Sequence, residues 1–88
     1  MNSLFEITKD LAEYAQQELF CEYEIKGPRP SATTHEILGI ITEEYFELID
    51  AVKSNNLHQV HQELRDIMVA SLHGIRSVKE ILNVRPNR

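Results

Sequence analysis

The apolar residues of the chain fall into three stretches with helical spacing. In the first stretch they recur mostly at steps of three and four residues: Leu4, Ile7, Leu11, Tyr14, Ala15 and Leu19. This spacing predicts an amphipathic helix over about residues 3–24, with Asn2 or Ser3 as its N-cap. The segment from Lys26 to Thr34 contains two prolines and a glycine in quick succession, which predict a loop.

Two further amphipathic helices are predicted after this loop. The second helix should span about residues 34–54, with Thr33 or Thr34 as its N-cap. The third should span about residues 57–82, and Gly74 either kinks it or ends it, which would leave a short fourth helix. The link between the second and third helices is short, so we expect them to be antiparallel neighbours. The pattern therefore predicts an all-α, three-helix chain.

Four acidic residues border the apolar faces of the second and third helices. At about 100° per residue, Glu44 falls inside the apolar face of the second helix and Glu47 falls at its edge. Glu63 lies on the flank of the apolar face of the third helix, and Asp66 lies one turn further along. A helix whose charges were only solvated would carry them on the opposite face. Both pairs are therefore predicted to border a core.

The spacing within each pair also predicts a shared target for the carboxylates. Residues three apart on a helix lie on the same face, so each pair can direct two carboxylates to one place. If the two helices pack antiparallel, four carboxylates converge, repel one another and lose hydration. The expected neutralising group is a hard divalent cation with oxygen ligands, Mg2+ or Mn2+.

Size, charge and cysteine content restrict the class of protein. With 88 residues the chain is expected to form one small domain, residues 1–88, whose modest core favours a partner subunit. A net charge of −5 argues against nucleic acid as a partner. The single Cys21 permits neither an internal disulfide nor a thiolate zinc cluster. No apolar run is long enough for a membrane span and no signal-peptide pattern is present, so we expect a cytoplasmic protein.

The spacing of the acidic residues resembles the MazG family of all-α nucleoside triphosphate pyrophosphohydrolases. The family pattern is EExxE followed by ExxD, and here it consists of Glu43, Glu44 and Glu47, then fifteen residues, then Glu63 and Asp66. The likeness extends to the surrounding aliphatic residues and covers about residues 35–75. Arg65 stands where a small residue is frequent in the family.

The resemblance implies a fold, a reaction and a set of site residues. The fold would be a MazG-like helical bundle completed by a partner subunit, as a homodimer or a dimer of dimers. The reaction would be Mg2+-dependent hydrolysis of an NTP or dNTP to the monophosphate and pyrophosphate, with housecleaning of nucleotides as one role. The expected metal ligands are Glu44, Glu47, Glu63 and Asp66. The expected catalytic groups are Glu43 and Glu47.

Contacts to the substrate are expected from residues outside the acidic motif. The candidates are His35, at the start of the second helix, and the basic residues Lys53, Arg65 and Lys79. Each of these residues is more often only a surface residue or a neighbour of a helix cap.

Two other functions compete with the enzyme. One is a carboxylate metal-binding bundle of the di-iron or metal-storage type, in which Glu-x-x-His is the expected pair. This chain has Glu-x-x-Glu and Glu-x-x-Asp instead, which favours magnesium. The other is a non-catalytic helical interaction module or regulatory dimer whose acidic residues are merely solvated.

Overall fold

A computed structural model describes residues 3–27 and 32–84, and over these residues the chain contains helices and no strands. Helix α1 spans Leu4–Lys26, α2 spans Thr34–Lys53 and α3 spans Leu57–Val84. The predicted all-α, three-helix fold is confirmed. Helix α3 continues through Gly74 without a break, so a short fourth helix does not form within the described residues.

The chain divides into two compact units, residues 1–30 and residues 31–88. The first unit contains α1. Ser3 is its N-cap, since the Ser3 hydroxyl oxygen accepts a hydrogen bond of 3.1 Å from the backbone N–H of Glu6. The helix is followed by Gly27, whose φ of 76° suits a residue without a side chain. The predicted cap Asn2 and residues 28–31 of the predicted loop lie outside the described residues. A single domain over 1–88 stays a prediction.

The second unit contains α2 and α3, and local hydrogen bonds define where each helix begins. Thr33 and Glu36 form a capping box at the start of α2, each side chain accepting a hydrogen bond of 3.1 Å from the other residue's backbone N–H. These bonds to Thr33 lower the pKa of Glu36. At the start of α3, the side-chain oxygen of Asn56 accepts a hydrogen bond of 3.1 Å from the backbone N–H of Gln59.

Helices α2 and α3 pack against each other in antiparallel orientation. The connection between them is short, and Asn55 adopts a left-handed conformation with φ 54°. Near the other end of the pair, Gly74 is buried against Ile37, and a Cβ atom at position 74 would lie 3.0 Å from Ile37 Cγ2. Ser77, only 2% exposed, accepts a hydrogen bond of 3.0 Å from the backbone N–H of Ala32. These contacts fix the register of the two helices.

The α2–α3 pair leaves many large apolar side chains exposed. Those at least half exposed are Leu38, Tyr45, Phe46, Val52, Leu57, Leu64, Ile75 and Leu82. Two helices present too little surface to cover one another on more than one side, so these side chains remain available for a further contact. No helix within the described residues combines the length and the apolarity that a membrane span needs.

Candidate metal centre

Three acidic side chains from α2 and α3 meet at one place. One carboxylate oxygen each from Glu44, Glu63 and Asp66 lies within 4.8 Å of the other two. Glu44 comes from α2, and the other two residues come from one face of α3, where a spacing of three residues aligns them. Glu63 is only 4% exposed, and the other two are half-buried. The antiparallel register thus gathers three of the four residues expected to bind metal.

The fourth expected ligand, Glu47, lies at the rim of this centre. It is exposed on α2, one turn after Glu44. The pKa of Glu47 is raised, first by a hydrogen bond to the Glu63 carboxyl and then by the negative charge of Glu63. A hydrogen bond between two carboxyl groups requires a proton on one of them, which is why this contact favours protonation. Glu43 is also exposed, and its charge further raises the pKa of Glu47.

Loss of hydration and neighbouring negative charges also raise the pKa of Glu44. Its pKa is raised from 4.5 to about 7, mainly by loss of hydration and then by the charges of Glu47, Asp66 and Glu63. Its carboxyl group is also close enough to that of Glu63 to form a hydrogen bond when one of the two carries a proton. All these contributions act in the same direction, so full ionisation of the centre is unfavourable without added positive charge.

Two buried carboxylate oxygens that lack hydrogen-bond donors indicate that a cation fits this centre. Glu44 Oε2 and Glu63 Oε2 are buried, and when all the carboxyl groups are ionised neither oxygen accepts a hydrogen bond from the described residues. A buried acceptor without a donor is unfavourable, whereas an oxygen directed at a cation is satisfied. The group contains carboxylates and no histidine among the described residues, which suits hard cations such as Mg2+ or Mn2+ better than iron.

Two glutamines that were not predicted from the sequence contact the α3 carboxylates. The amide nitrogen of Gln59 donates a hydrogen bond to Glu63 Oε1, and that of Gln62 donates one of 2.9 Å to Asp66 Oδ1. Arg65 donates a hydrogen bond of 2.6 Å from Nη2 to the side-chain oxygen of Gln62. The sequence signal was the spacing, because each glutamine precedes its carboxylate by four residues, one turn of helix.

The four predicted substrate contacts lie at different distances from the centre. Arg65 is half-buried and joined to Asp66 through Gln62. His35 is exposed in the first turn of α2, about 14 Å along the helix from Glu44. Arg65 is therefore linked to the carboxylates, whereas His35 is exposed and distant from them along α2.

Lys53 and Lys79 lie towards opposite ends of the α2–α3 pair, and both are exposed. Lys53 is in the last turn of α2, about 9 Å along the helix from Glu47. Lys79 is about 20 Å along α3 from Asp66, beside an open apolar pocket of about 360 Å³ between the two helices. The structure does not bring either lysine to the carboxylates.

The chain matches the sequence model of a known protein family. The model of the MazG nucleotide pyrophosphohydrolase domain matches residues 32–84. The match covers more than half of the chain and includes α2, α3 and the three converging carboxylates. No curated protein and no solved structure matches the chain significantly.

Proposed function

Because the chain belongs to the MazG nucleotide pyrophosphohydrolase family, we propose that it hydrolyses an NTP or dNTP to the monophosphate and pyrophosphate with the help of Mg2+. The observation that supports this activity most directly is the convergence of Glu44, Glu63 and Asp66 within 4.8 Å. A centre of this charge repels a free triphosphate, so nucleotide binding requires positive charge between the two.

The proposed metal ligands are Glu44, Glu63 and Asp66, with Glu47 completing the set from the rim. Mn2+ is the alternative cation, since it also prefers oxygen ligands. When bound, the cation would supply the positive charge that offsets both the carboxylates and the phosphate oxygens of the substrate. The two buried oxygens without donors, Glu44 Oε2 and Glu63 Oε2, are the atoms that gain most from it.

The proposed general bases are Glu47 and Glu43, both of which are exposed next to the buried carboxylates. In this role one carboxylate accepts a proton from the attacking water as the water oxygen bonds to phosphorus and pyrophosphate leaves. Glu47 is the better candidate, because its carboxyl group lies in hydrogen-bond contact with that of Glu63, at the proposed metal centre.

The proposal also includes contacts to the substrate and to a partner subunit. Among the four candidate substrate contacts, Arg65 lies nearest to the carboxylates, through Gln62. His35, Lys53 and Lys79 would have to meet more distant parts of the nucleotide or a substrate shared between subunits. The exposed apolar side chains of α2 and α3 support a homodimer or a dimer of dimers. Housecleaning of nonstandard or excess nucleotides in the cytoplasm is the proposed role.

Pyrophosphate release from a panel of standard and modified NTPs and dNTPs tests the proposed reaction. The assay is run with Mg2+, with Mn2+ and with EDTA. We expect metal-dependent release, and we expect Glu63→Gln to lower turnover by about 100-fold or more, because a buried ligand is lost. Asp50→Asn changes an exposed acid on α2 and is the matched control.

Three results would contradict the proposal. These are orthophosphate as the product, turnover that persists in EDTA, and unchanged turnover in Glu63→Gln. A protein that binds neither cation and hydrolyses no nucleotide would instead favour the non-catalytic interaction module.

A further inference from the structure

We propose that Gln59 and Gln62 are positioning residues of the metal centre: each amide holds one oxygen of an α3 carboxylate and leaves the other oxygen to face the cation. This inference rests on the metal binding proposed above. It adds two residues that lie outside the acidic motif and that do not themselves ligate the metal.

Gln59 distinguishes the two oxygens of Glu63. The backbone of Gln59 is held at the start of α3 by the hydrogen bond of 3.1 Å from its N–H to the Asn56 side chain. From this fixed position its amide nitrogen donates to Glu63 Oε1. The second oxygen, Oε2, is buried and accepts no hydrogen bond from the described residues while the neighbouring carboxyl groups are ionised. The amide therefore fixes the rotation of the carboxylate and leaves one of its oxygens for a ligand.

Both the nitrogen and the oxygen of the Gln62 side-chain amide form hydrogen bonds. Its nitrogen donates to Asp66 Oδ1 at 2.9 Å, while its oxygen accepts from Arg65 Nη2 at 2.6 Å. A guanidinium group can only donate hydrogen bonds, so the amide oxygen must face Arg65 and the amide nitrogen must face Asp66. Arg65 thus sets the orientation in which Gln62 can hold the carboxylate.

The chemistry of an amide suits this task better than a basic side chain would. A lysine or arginine in direct contact with Glu63 or Asp66 would neutralise the carboxylate and oppose a second positive charge. An amide donates a hydrogen bond while carrying no net charge, so the carboxylate keeps its net negative charge for a cation. Hydrogen-bond partners that orient metal ligands in this way affect metal affinity strongly. Glutamine–carboxylate pairs four residues apart stabilise a helix only slightly, so their effect on folding should be small.

Metal titration of methionine variants tests the inference. Gln59→Met and Gln62→Met keep the length and approximate volume of the side chain but remove the donor. Gln17→Met makes the same change at an exposed position of α1 and is the control. The Kd for Mn2+ is measured by titration calorimetry on the whole chain without nucleotide, and metal-free thermal unfolding is followed by circular dichroism.

We expect the Kd for Mn2+ to rise by about 10-fold or more in each variant at Gln59 and Gln62 and to stay unchanged in Gln17→Met. The metal-free unfolding midpoints should change little. If a methionine variant does not fold, Gln→Asn at the same position replaces it, because the shorter side chain withdraws the donor while remaining an amide.

Two outcomes would overturn the inference, and they separate it from the proposed function. If the unmodified chain binds Mn2+ and the variants bind it within twofold, the amides do not position the ligands, even where the unfolding midpoint falls. If the unmodified chain does not bind Mn2+, the metal centre itself is wrong and the inference fails with it.

Discussion

The metal-free protein should lose stability as the pH rises through the range in which Glu44 titrates. The pKa of this carboxyl is raised from 4.5 to about 7 in the folded chain, mainly by burial and then by neighbouring carboxylates. Below pH 4.5 Glu44 is protonated in both the folded and the unfolded chain. Between pH 4.5 and about pH 7, Glu44 keeps its proton only in the folded chain, so each increase in pH favours unfolding. Above about pH 7 both states are ionised and the penalty stays constant.

The size of the effect follows from the two pKa values. The difference between 4.5 and about 7 corresponds to at most ~3.5 kcal/mol at ~1.4 kcal/mol per pKa unit. The Glu44 side chain remains partly exposed, and solvent screening reduces the expected loss to about 1–2 kcal/mol. For a chain of this size, such a loss lowers the midpoint of thermal unfolding by roughly 5–15 °C. The raised pKa of Glu47 also makes the folded chain less stable as the pH rises.

Circular dichroism melts in EDTA at pH 5 and pH 8 measure this effect. The unmodified chain should melt at a lower temperature at pH 8, and Glu44→Gln should lose much of this difference, because a neutral amide has no charge to bury. Asp50→Asn, at an exposed position on the same helix, should keep the pH dependence of the unmodified chain. Added Mg2+ should restore stability at pH 8 in the unmodified chain. Equal pH dependence in Glu44→Gln and the unmodified chain, or a melting temperature that rises with pH, would refute the reasoning.

Two further predictions concern the packing and the capping of α2, both measured by urea unfolding. Gly74→Val should destabilise the protein by about 1–3 kcal/mol, since a Cβ atom there meets Ile37 Cγ2 at 3.0 Å. The contrasting Gly39→Ala, where a Cβ atom meets nothing within 4 Å, should stabilise it by about 0.5–1 kcal/mol, and equal effects of the two changes would contradict the packing argument. Thr33→Ala removes one half of the capping box with Glu36 and should lower stability by about 1 kcal/mol, whereas no change would show that the cap contributes nothing.

The sequence alone determined the helices and most of their boundaries. The spacing of apolar residues is a local property, and so are the hydrogen bonds of the caps at Ser3 and Thr33. The alignment of Glu63 with Asp66 is local as well, because a separation of three residues places two side chains on the same face of any α-helix.

Only the tertiary structure decided which carboxylates meet. Glu44 joins the α3 pair while Glu47, one turn along, stays exposed at the rim. This outcome depends on how far one helix slides and rotates against the other, which the pattern along a single helix does not specify. The register is set by contacts between residues far apart in the chain, such as Ile37 with Gly74.

The same contact explains why α3 does not end at Gly74. Glycine weakens a helix interior by about 1 kcal/mol relative to alanine, which made a break a reasonable alternative from the sequence. In the structure Gly74 is buried, and its missing side chain lets α2 approach α3 closely at Ile37. Local propensity therefore determined the elements, whereas packing between distant residues determined the register, the burial of Glu63 and the meeting of the carboxylates.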